Sequence, residues 1–221
     1  MTEPALRRAV VAGASGLVGR ELSRLLLADR RYSSVVLLLR RPLPELTSPR
    51  LQQRLVSFDA LPALEPCDDI YVALGTTMAV AGSQAAFRRV DHDYVIAVAR
   101  AARAADASRL GLVSALGADT ASRIFYNRVK GEAERDVCAL GFARVVIARP
   151  SLLLGERASL GQPHRAGETW SKRLLAPLSG VIPVAYRPVR ASDVARCLIN
   201  AVLADTSGVT TIESRDLHAR R

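Results

Sequence analysis

The stretch "RAVVAGASGLVG", residues 8–19, decides the fold of this chain. A short apolar run leads directly into three glycines spaced three residues apart, and an amphipathic segment follows at once. A turn from strand to helix needs glycine where the backbone bends sharply, where it approaches a pyrophosphate and where the helix packs on the strand. The N-terminus of that helix presents free N–H groups to phosphate oxygens. We therefore predict a dinucleotide-binding turn formed by Gly13, Ser15, Gly16, Leu17, Val18 and Gly19.

Short apolar runs rich in Val, Leu and Ile recur through the first 149 residues, separated by longer segments with apolar residues at helical spacing. Continuous runs of this length are typical of strands buried on both faces. The alternation predicts an α/β fold, a doubly wound Rossmann domain with a parallel sheet. The predicted strands are residues 8–12, 34–39, 54–58, 69–74, 109–114 and 143–149. The predicted helices are residues 17–30, 83–106, 122–140 and 191–204.

The length of 221 residues suits one sizeable core, so we expect a single domain over residues 1–221. Residues 151–190 contain several Gly and Pro and the only Trp, Trp170. Irregular segments over a rigid α/β sheet commonly carry binding residues, and we interpret this segment as a small C-terminal region that covers the substrate. A long surface connection is the alternative interpretation.

The net charge of +10 attracts phosphates in general, but the basic residues are scattered in pairs and form no basic helix face. We therefore expect no nucleic-acid partner, and keep such a protein only as a third hypothesis. The three cysteines are far apart and the histidines His92, His164 and His218 are isolated, so neither a disulfide framework nor a metal site is expected. No apolar run approaches the roughly 20 residues of a membrane span. A cytoplasmic protein without a membrane partner is the expectation.

The identity of the cofactor should be encoded at the end of the second strand, where NAD-binding proteins usually offer a carboxylate to the ribose. This chain has Arg40 and Arg41 there, which favour the 2′-phosphate of NADP over NAD. The alternative is that these arginines only face solvent. Ligands lie at the carboxyl ends of the strands, so topology places Asp59 near the adenine. It also places Leu74, Gly75, Thr76 and Thr77 near the middle of the cofactor.

A reacting group is predicted around Tyr126 and Lys130, which are four residues apart and therefore share one helix face. Only two of the 31 basic residues are Lys, so a Lys at this position is informative. Its ammonium would stabilise a Tyr126 phenolate, so that the phenol exchanges a proton near neutral pH. Ser114, at the end of the fifth strand, would hydrogen-bond the substrate oxygen as charge develops. A purely structural Tyr–Lys stack is the alternative.

Several segments resemble an atypical short-chain dehydrogenase/reductase: "GASGLVG", Ser114, "YNRVK", "RPSLLLG" (149–155) and "ASDVA" (191–195). The segments "LGTT" (74–77), "FRRVDHDY" (87–94), "VSALGAD" (113–119) and "FYNRVKGE" (125–132) are similar to its Tat-interacting-protein-like branch. The resemblance implies an NADP-dependent oxidoreductase that acts on a small carbonyl or alcohol substrate. Hydride transfer itself would belong to the cofactor.

The resemblance also implies the roles of individual residues. Tyr126 would be the general acid/base, Lys130 would hold the nicotinamide ribose, and Ser114 would orient the substrate carbonyl. The backbone at Pro150, Leu152 and Leu153 would lie near the nicotinamide.

Two departures from the family pattern stand out. Asp91 replaces the catalytic Asn of many relatives, which puts a proton relay through that Asn in doubt. Only roughly 70 residues follow Pro150, which disfavours a nucleotide-sugar substrate. The second hypothesis is a cofactor-binding regulator with vestigial catalysis, and a homodimer or a protein partner is compatible with either.

Overall fold

The computed structural model describes residues 6–154 and 183–218, and its centre is a parallel sheet of seven strands. We number the elements of the described residues in chain order. The strands of this sheet are β1 (Arg7–Ala12), β2 (Tyr32–Leu39), β3 (Leu51–Leu55), β4 (Asp69–Val72), β5 (Arg109–Val113), β6 (Arg144–Arg149) and β9 (Gly208–Glu213). The short strands β7 (Leu153–Leu154) and β8 (Val189–Arg190) pair separately. The helices are α1 (Leu17–Ala28), α2 (Met78–Ala81), α3 (Gln84–Arg88), α4 (Tyr94–Ala104), α5 (Phe125–Cys138) and α6 (Ala191–Leu203).

The strand order is β3-β2-β1-β4-β5-β6-β9, with every neighbouring pair parallel. From β1 to β3 successive strands are added on one side of the sheet, and from β4 onward they are added on the other side. The crevice between the carboxyl ends of β1 and β4 is a topological switch point, where sheets of this kind bind ligands.

Helices cover both faces of the sheet, which explains the continuous apolar runs in the sequence. On one face α1 and α6 pack against the strands through Leu22, Leu26 and Leu198. On the other face α4 and α5 contribute a second buried cluster that includes Val98 and Val137. The predicted doubly wound α/β fold is confirmed.

Three predicted elements differ from the structure. The third strand is Leu51–Leu55 rather than residues 54–58, because Phe58 begins a 3₁₀ turn and stacks on Tyr94 at 5.6 Å between ring centroids. The helix predicted over residues 83–106 contains a π segment, Arg89–Asp93, between α3 and α4. Strand β9 was not predicted, because it is an edge strand in which three of six residues are exposed and none is fully buried, so it lacks a long apolar run.

A closed polar network lies at the amino edge of the sheet. Arg7 donates two hydrogen bonds of 2.6 Å to the buried carboxylate of Asp69. The Tyr32 hydroxyl donates to the same carboxylate at 2.8 Å and lies 2.9 Å from the Tyr71 hydroxyl. Burial, followed by the neighbouring tyrosine and Asp69, raises the pKa of Tyr32 above its ordinary value. Each polar group in this network has a partner within the fold.

Two general properties concern possible partners. Among the described residues, no helix is long and apolar enough to cross a bilayer. Within the same part of the chain, no group of three or more His, Cys, Asp or Glu side chains could hold a metal ion.

Candidate cofactor and active site

The glycine turn has the geometry that its sequence predicts. Gly13 has a φ of 94°, and a Cβ atom there would lie 2.4 Å from the carbonyl oxygen of Ala73. A Cβ atom on Gly19 would lie 2.0 Å from the carbonyl oxygen of Gly13. Neither position accepts a side chain, so the turn after β1 packs tightly against both the loop after β4 and helix α1.

The N-terminus of α1 is open to an anion. Gly16 is the residue before the helix, no side chain caps it, and the first turn contains no acidic residue. The backbone N–H groups of the first turn therefore face the crevice without a protein acceptor from a cap, which suits a phosphate. Ser15 is exposed, Leu17 is half-buried and Val18 packs into the core.

Arg40 and Arg41 follow directly after β2, and both are exposed. Neither makes a hydrogen bond or an ion pair with another residue that the structure describes. The loop after them is firmly held, since Gln53 of β3 accepts from the Leu43 N–H at 2.8 Å and donates to the Leu43 carbonyl at 2.8 Å. Two guanidinium groups on an anchored loop are thus available to a ligand phosphate.

Asp59 lies at the same end of β3 and is exposed. It accepts a hydrogen bond of 2.7 Å from the hydroxyl of Tyr94, whose ring stacks on Phe58. Burial of the hydroxyl and the Asp59 carboxylate raise the pKa of Tyr94. The contact of Asp59 with an adenine stays a prediction.

The loop after β4, residues 74–77, lies beside the glycine turn. Thr77 uses its side chain to cap α2, accepting from the Val80 N–H at 3.1 Å. Thr76 donates its backbone N–H to Asp91 Oδ2 at 2.8 Å. Leu74 is half-buried and Gly75 is exposed. These contacts hold the loop at the switch point, where the sequence places the middle of the cofactor.

Ser114 follows β5 directly, and its side-chain hydroxyl is unusual. Ser114 is 7% exposed, yet its Oγ has no hydrogen-bond partner in the part of the chain that the structure describes. Its backbone N–H continues the sheet by donating to the Ala148 carbonyl at 2.8 Å. A buried hydroxyl without a partner is unfavourable for folding, and a substrate oxygen would satisfy it.

Tyr126 and Lys130 lie in the first half of α5. The Tyr126 ring is half-buried and packs against Phe87 of α3, with 5.3 Å between ring centroids. Lys130 is 6% exposed, and its Nζ lies 2.8 Å from Asp91 Oδ1. Burial alone would lower the pKa of Lys130, but the charge of Asp91 and the neighbouring Tyr126 outweigh it and raise that pKa above its ordinary value. Lys130 is therefore a buried cation.

The connection between β5 and α5 brings Ser114 and Tyr126 to one edge of the sheet. Asp119 donates its N–H to the Asn127 carbonyl at 3.0 Å, and Arg128 donates to the Ser122 carbonyl at 3.0 Å. A Cβ atom on Gly131 would lie 2.4 Å from the backbone of Asp119. The connection between β5 and α5 thus packs against α5 rather than extending into solvent.

The residues after β6 complete this edge. The carbonyl of Pro150 accepts from the Leu116 N–H at 2.9 Å, and the Leu152 carbonyl accepts from the Val189 N–H at 2.8 Å. Leu153 pairs with the same Val189 in the two-stranded sheet. Of the predicted substrate-covering segment, only residues 151–154 and 183–190 are described, and Trp170 lies outside them.

Arg149 belongs to the segment "RPSLLLG" of the family resemblance, and its side chain forms ion pairs within the fold. It lies 2.6 Å from Glu134 of α5 and 3.2 Å from Glu213 of β9. The hydrogen bonds that Arg149 donates to the Glu134 carboxylate are the main cause of the raised pKa of Arg149. Its side chain therefore ties the last two strands to α5.

Sequence reasoning missed Phe87 as a support for Tyr126 and Asp91 as the partner of Lys130. A signal was present, because residues 87, 91 and 95 are spaced along one helix face. Phe87 and Val95 are buried apolar residues, and Asp91 lies between them on that face with 1% exposure. A carboxylate in a buried apolar stripe requires a partner, and the sequence offers few lysines to supply one.

Comparisons with known proteins agree with this geometry. A family profile described as NAD(P)H-binding matches residues 13–170. Protein FMP52-1, mitochondrial, from Scheffersomyces stipitis is 34% identical over 208 residues, which cover 87% of each chain. Protein HTATIP2 from Rattus norvegicus is 34% identical over 204 residues, covering 90% of this chain and 82% of that protein.

Solved structures share the fold at low sequence identity. MoeE5 in complex with UDP-glucose and NAD has a TM-score of 0.69 at 20% identity, covering 93% of this chain and 76% of that one. A UDP-N-acetylglucosamine 4-epimerase from Methanobrevibacter ruminantium has a TM-score of 0.71 at 16% identity, covering 95% and 77%. These likenesses establish a Rossmann-like fold.

Proposed function

Because the chain belongs to the NAD(P)H-binding family, in the atypical short-chain dehydrogenase/reductase branch that includes FMP52 and HTATIP2, we propose that it is an NADP-dependent oxidoreductase acting on a small carbonyl or alcohol. The proposal is supported by three groups at the end of β5 and on α5, which are neighbouring elements of the chain. They are the unpartnered hydroxyl of Ser114, the half-buried Tyr126 and the buried cation of Lys130.

The residues present fit an NADP cofactor. The tight glycine turn and the uncapped α1 N-terminus would hold the pyrophosphate, and Arg40 and Arg41 would hold the 2′-phosphate. A carboxylate at the end of β2 would favour NAD, and arginines occupy that place here. The preference for NADP over NAD is therefore part of the proposal.

The chemistry follows from the three side chains, taken in the direction of reduction. When bound, the reduced nicotinamide supplies a hydride for the carbonyl carbon. Tyr126 gives its hydroxyl proton to the carbonyl oxygen, and the product is the alcohol. Ser114 Oγ donates a hydrogen bond to that oxygen while it carries developing negative charge. The ammonium of Lys130 stabilises the phenolate left on Tyr126, which regains a proton from solvent.

The test is the Tyr126→Phe variant, because it removes the exchangeable proton and keeps the ring packed against Phe87. We expect turnover of NADPH across a panel of aldehydes and ketones to fall by about 10²–10⁴-fold, the usual contribution of general acid catalysis. NADPH affinity should change little. Tyr71→Phe, at the opposite edge of the sheet, is the matched control, and its turnover per folded molecule should equal that of the wild type. Unchanged turnover in Tyr126→Phe would contradict the mechanism.

A cofactor-binding regulator is the second candidate. The names of the FMP52 and HTATIP2 relatives state no reaction, so membership of this branch is compatible with a protein in which NADP occupancy controls a protein partner. The carbonyl panel discriminates between the two candidates. Tight NADPH binding without oxidation of NADPH by any compound of the panel would favour the regulator.

The compartment and the partners stay predictions. Fungal relatives are named as mitochondrial, so the expected cytoplasmic location of this chain needs a direct measurement such as fractionation. We keep the expectation of a small-molecule substrate and of no nucleic-acid partner. If nucleic acid did bind, the affinity should disappear steeply as salt is raised, because it would rest on scattered arginines.

A further inference from the structure

Asp91 is a carboxylate at the centre of the candidate site, and the proposed reaction gives it no chemical step. Its side chain is 1% exposed. The two oxygens are divided between two partners: Oδ1 lies 2.8 Å from Lys130 Nζ, and Oδ2 accepts the Thr76 N–H at 2.8 Å. A buried carboxylate without such partners would strongly destabilise the fold.

The local backbone presents Asp91 to these partners. Asp91 lies in the π segment Arg89–Asp93, an interruption of the kind often found at functional sites. Phe87, four residues earlier on the same helix, packs against the Tyr126 ring. Helix α3 and the π segment that continues it therefore contact both members of the proposed reacting pair. The Phe87 ring contacts Tyr126, and the Asp91 carboxylate contacts Lys130.

Gly75 shows how closely the loop after β4 approaches this ion pair. A Cβ atom on Gly75 would lie 3.3 Å from Asp91 Oδ1 and 3.7 Å from Lys130 Nζ. The backbone of the loop thus covers the ion pair, and the Thr76 amide fixes the loop to the carboxylate.

We propose that Asp91 is a positioning residue, whose carboxylate fixes the Lys130 ammonium against the loop of residues 74–77. The proposal rests on the proposed function for the assignment of Tyr126 and Lys130 as the reacting pair and for the contact of Lys130 with the cofactor ribose. The site holds a balanced pair of buried charges before any ligand enters.

The charges around Lys130 determine the expected pH dependence. Within the described residues, Asp91 faces Lys130 from the π segment, and Tyr126 and Glu134 face it from α5. Glu134 is already paired with Arg149 at 2.6 Å. The loop of residues 74–77 contributes only backbone. Without the Asp91 charge, burial dominates and lowers the pKa of Lys130, so the ammonium loses its proton at a lower pH.

The Asp91→Asn variant tests this directly, because the amide oxygen can still accept the Thr76 N–H while the charge is removed. NADPH affinity, measured by fluorescence titration, should stay within about threefold of the wild type at pH 7 and fall about tenfold by pH 9.5, since a charge-assisted contact to the ribose is lost. The wild type should change less than about threefold over this range. If turnover is detectable, the alkaline limb of its pH profile should move at least about one unit to lower pH.

Asp93→Asn is the matched control, because Asp93 is an exposed acidic residue on the same π segment and pairs only with His92 among the described residues. Its affinity and pH profile should match the wild type. A merely structural role for Asp91 would lower stability and activity at every pH alike without moving either pH profile, and that result would overturn the proposal.

A melting experiment decides the charge coupling independently of binding and catalysis. Asp91→Asn should lower the Tm by roughly 5–10 °C, because it leaves Lys130 buried without its counter-charge. The double variant Asp91→Asn/Lys130→Met should recover more than half of that loss. A double variant no more stable than Asp91→Asn, or an Asp91→Asn variant as stable as the wild type, overturns the coupling. If the wild type reduces no carbonyl, the proposed function fails, but the melting experiment still tests the coupling between Asp91 and Lys130.

Discussion

At the amino edge of the sheet, Arg7, Asp69, Tyr32 and Tyr71 satisfy one another, whereas at the carboxyl edge Ser114 has a buried hydroxyl without a partner in the described residues. Both edges contain polar groups that are costly to bury. The difference lies in whether the fold itself supplies the missing partner. The amino edge is complete and serves stability, and the carboxyl edge leaves groups available to a ligand.

The carboxyl edge combines groups that have a partner within the fold with groups that have none among the described residues. Lys130 and Asp91 form an internal pair, and Asp91 also accepts the Thr76 amide. Ser114 and the exposed Arg40 and Arg41 have no such partner among the residues described. The closed pair gives the site rigidity, and under the proposed function the open groups would contact the cofactor or the substrate. This division is what electrostatic preorganisation requires, because the positioning is completed during folding.

The largest expected effect is on turnover, and it distinguishes the carboxyl edge of the sheet from the amino edge. Ser114→Ala should lower turnover by about 100–1,000-fold, or about 3–4 kcal/mol of transition-state stabilisation, as does loss of a donor to a developing oxyanion. It should leave the free energy of unfolding unchanged or slightly higher, since Oγ has no partner to lose. Steady-state kinetics and urea unfolding measure the two quantities.

Ser23→Ala provides the matched control for a buried serine. The Ser23 Oγ donates to the Gly19 carbonyl at 2.8 Å within α1. We expect a loss of about 1 kcal/mol in stability with turnover retained. If Ser114→Ala instead behaved like Ser23→Ala, the Ser114 hydroxyl would have a structural function, and the contrast between the edges would be wrong.

The next effect concerns the amino edge. Asp69→Ala should cost about 3 kcal/mol of unfolding free energy, because Arg7 and the Tyr32 hydroxyl lose their shared acceptor in a buried position. Turnover per folded molecule should not change. Asp68→Ala serves as control, since the Asp68 carboxylate is partly exposed. Its 3.8 Å contact with the Arg8 guanidinium and the 2.6 Å hydrogen bond that it accepts from the Arg8 N–H should together contribute about 1 kcal/mol. A fall in turnover without a loss of stability would contradict the assignment of this edge to the fold.

The smallest effect is a dependence of stability on alkaline pH. Burial raises the pKa of Tyr32 and of Tyr71, so the folded protein keeps these protons after the unfolded chain has lost them. Stability is therefore fully present below a pH of about 10, the ordinary tyrosine pKa, and falls above it by about 1.4 kcal/mol per pH unit for each group. Urea unfolding at pH 9 to 10.5, where the two groups together should remove less than about 2 kcal/mol, measures the slope, and Tyr32→Phe should reduce it. A slope unaffected by Tyr32→Phe would indicate that other groups cause it.

The sequence was sufficient for the fold class because the strands at the centre of the sheet are buried on both faces. Residues 70–72 of β4 and 145–148 of β6 are uninterrupted apolar runs, and the glycine turn fixes the first crossover. Strand β9 was not predicted because it lies at the sheet edge, where none of its residues is fully buried and its apolar residues are separated by polar ones. The third strand was misplaced because "LQQRL" carries polar residues in its centre and Phe58 lies beyond its end.

The candidate site was predictable as a set of residue types but not as a set of contacts. The spacing of Tyr126 and Lys130 and the position of Ser114 after a strand are local features of the sequence. The pairing of Lys130 with Asp91 joins two helices distant in sequence, and it also depends on a π segment that helical periodicity does not predict. The functions of these residues, and of the residues predicted to contact the cofactor, stay predictions until a ligand is bound.

The most direct test of the account is a calorimetric titration of the wild-type protein with NADPH and with NADH, repeated on the Arg40→Ala/Arg41→Ala variant. The account predicts that the wild type binds NADPH at least about tenfold more tightly than NADH, since charge-assisted hydrogen bonds to the 2′-phosphate are worth roughly 1.5–3 kcal/mol. The variant should lose this preference and keep its NADH affinity. Equal affinity of the wild type for both cofactors, or binding of neither, would contradict the assignment of the carboxyl edge as an NADP site.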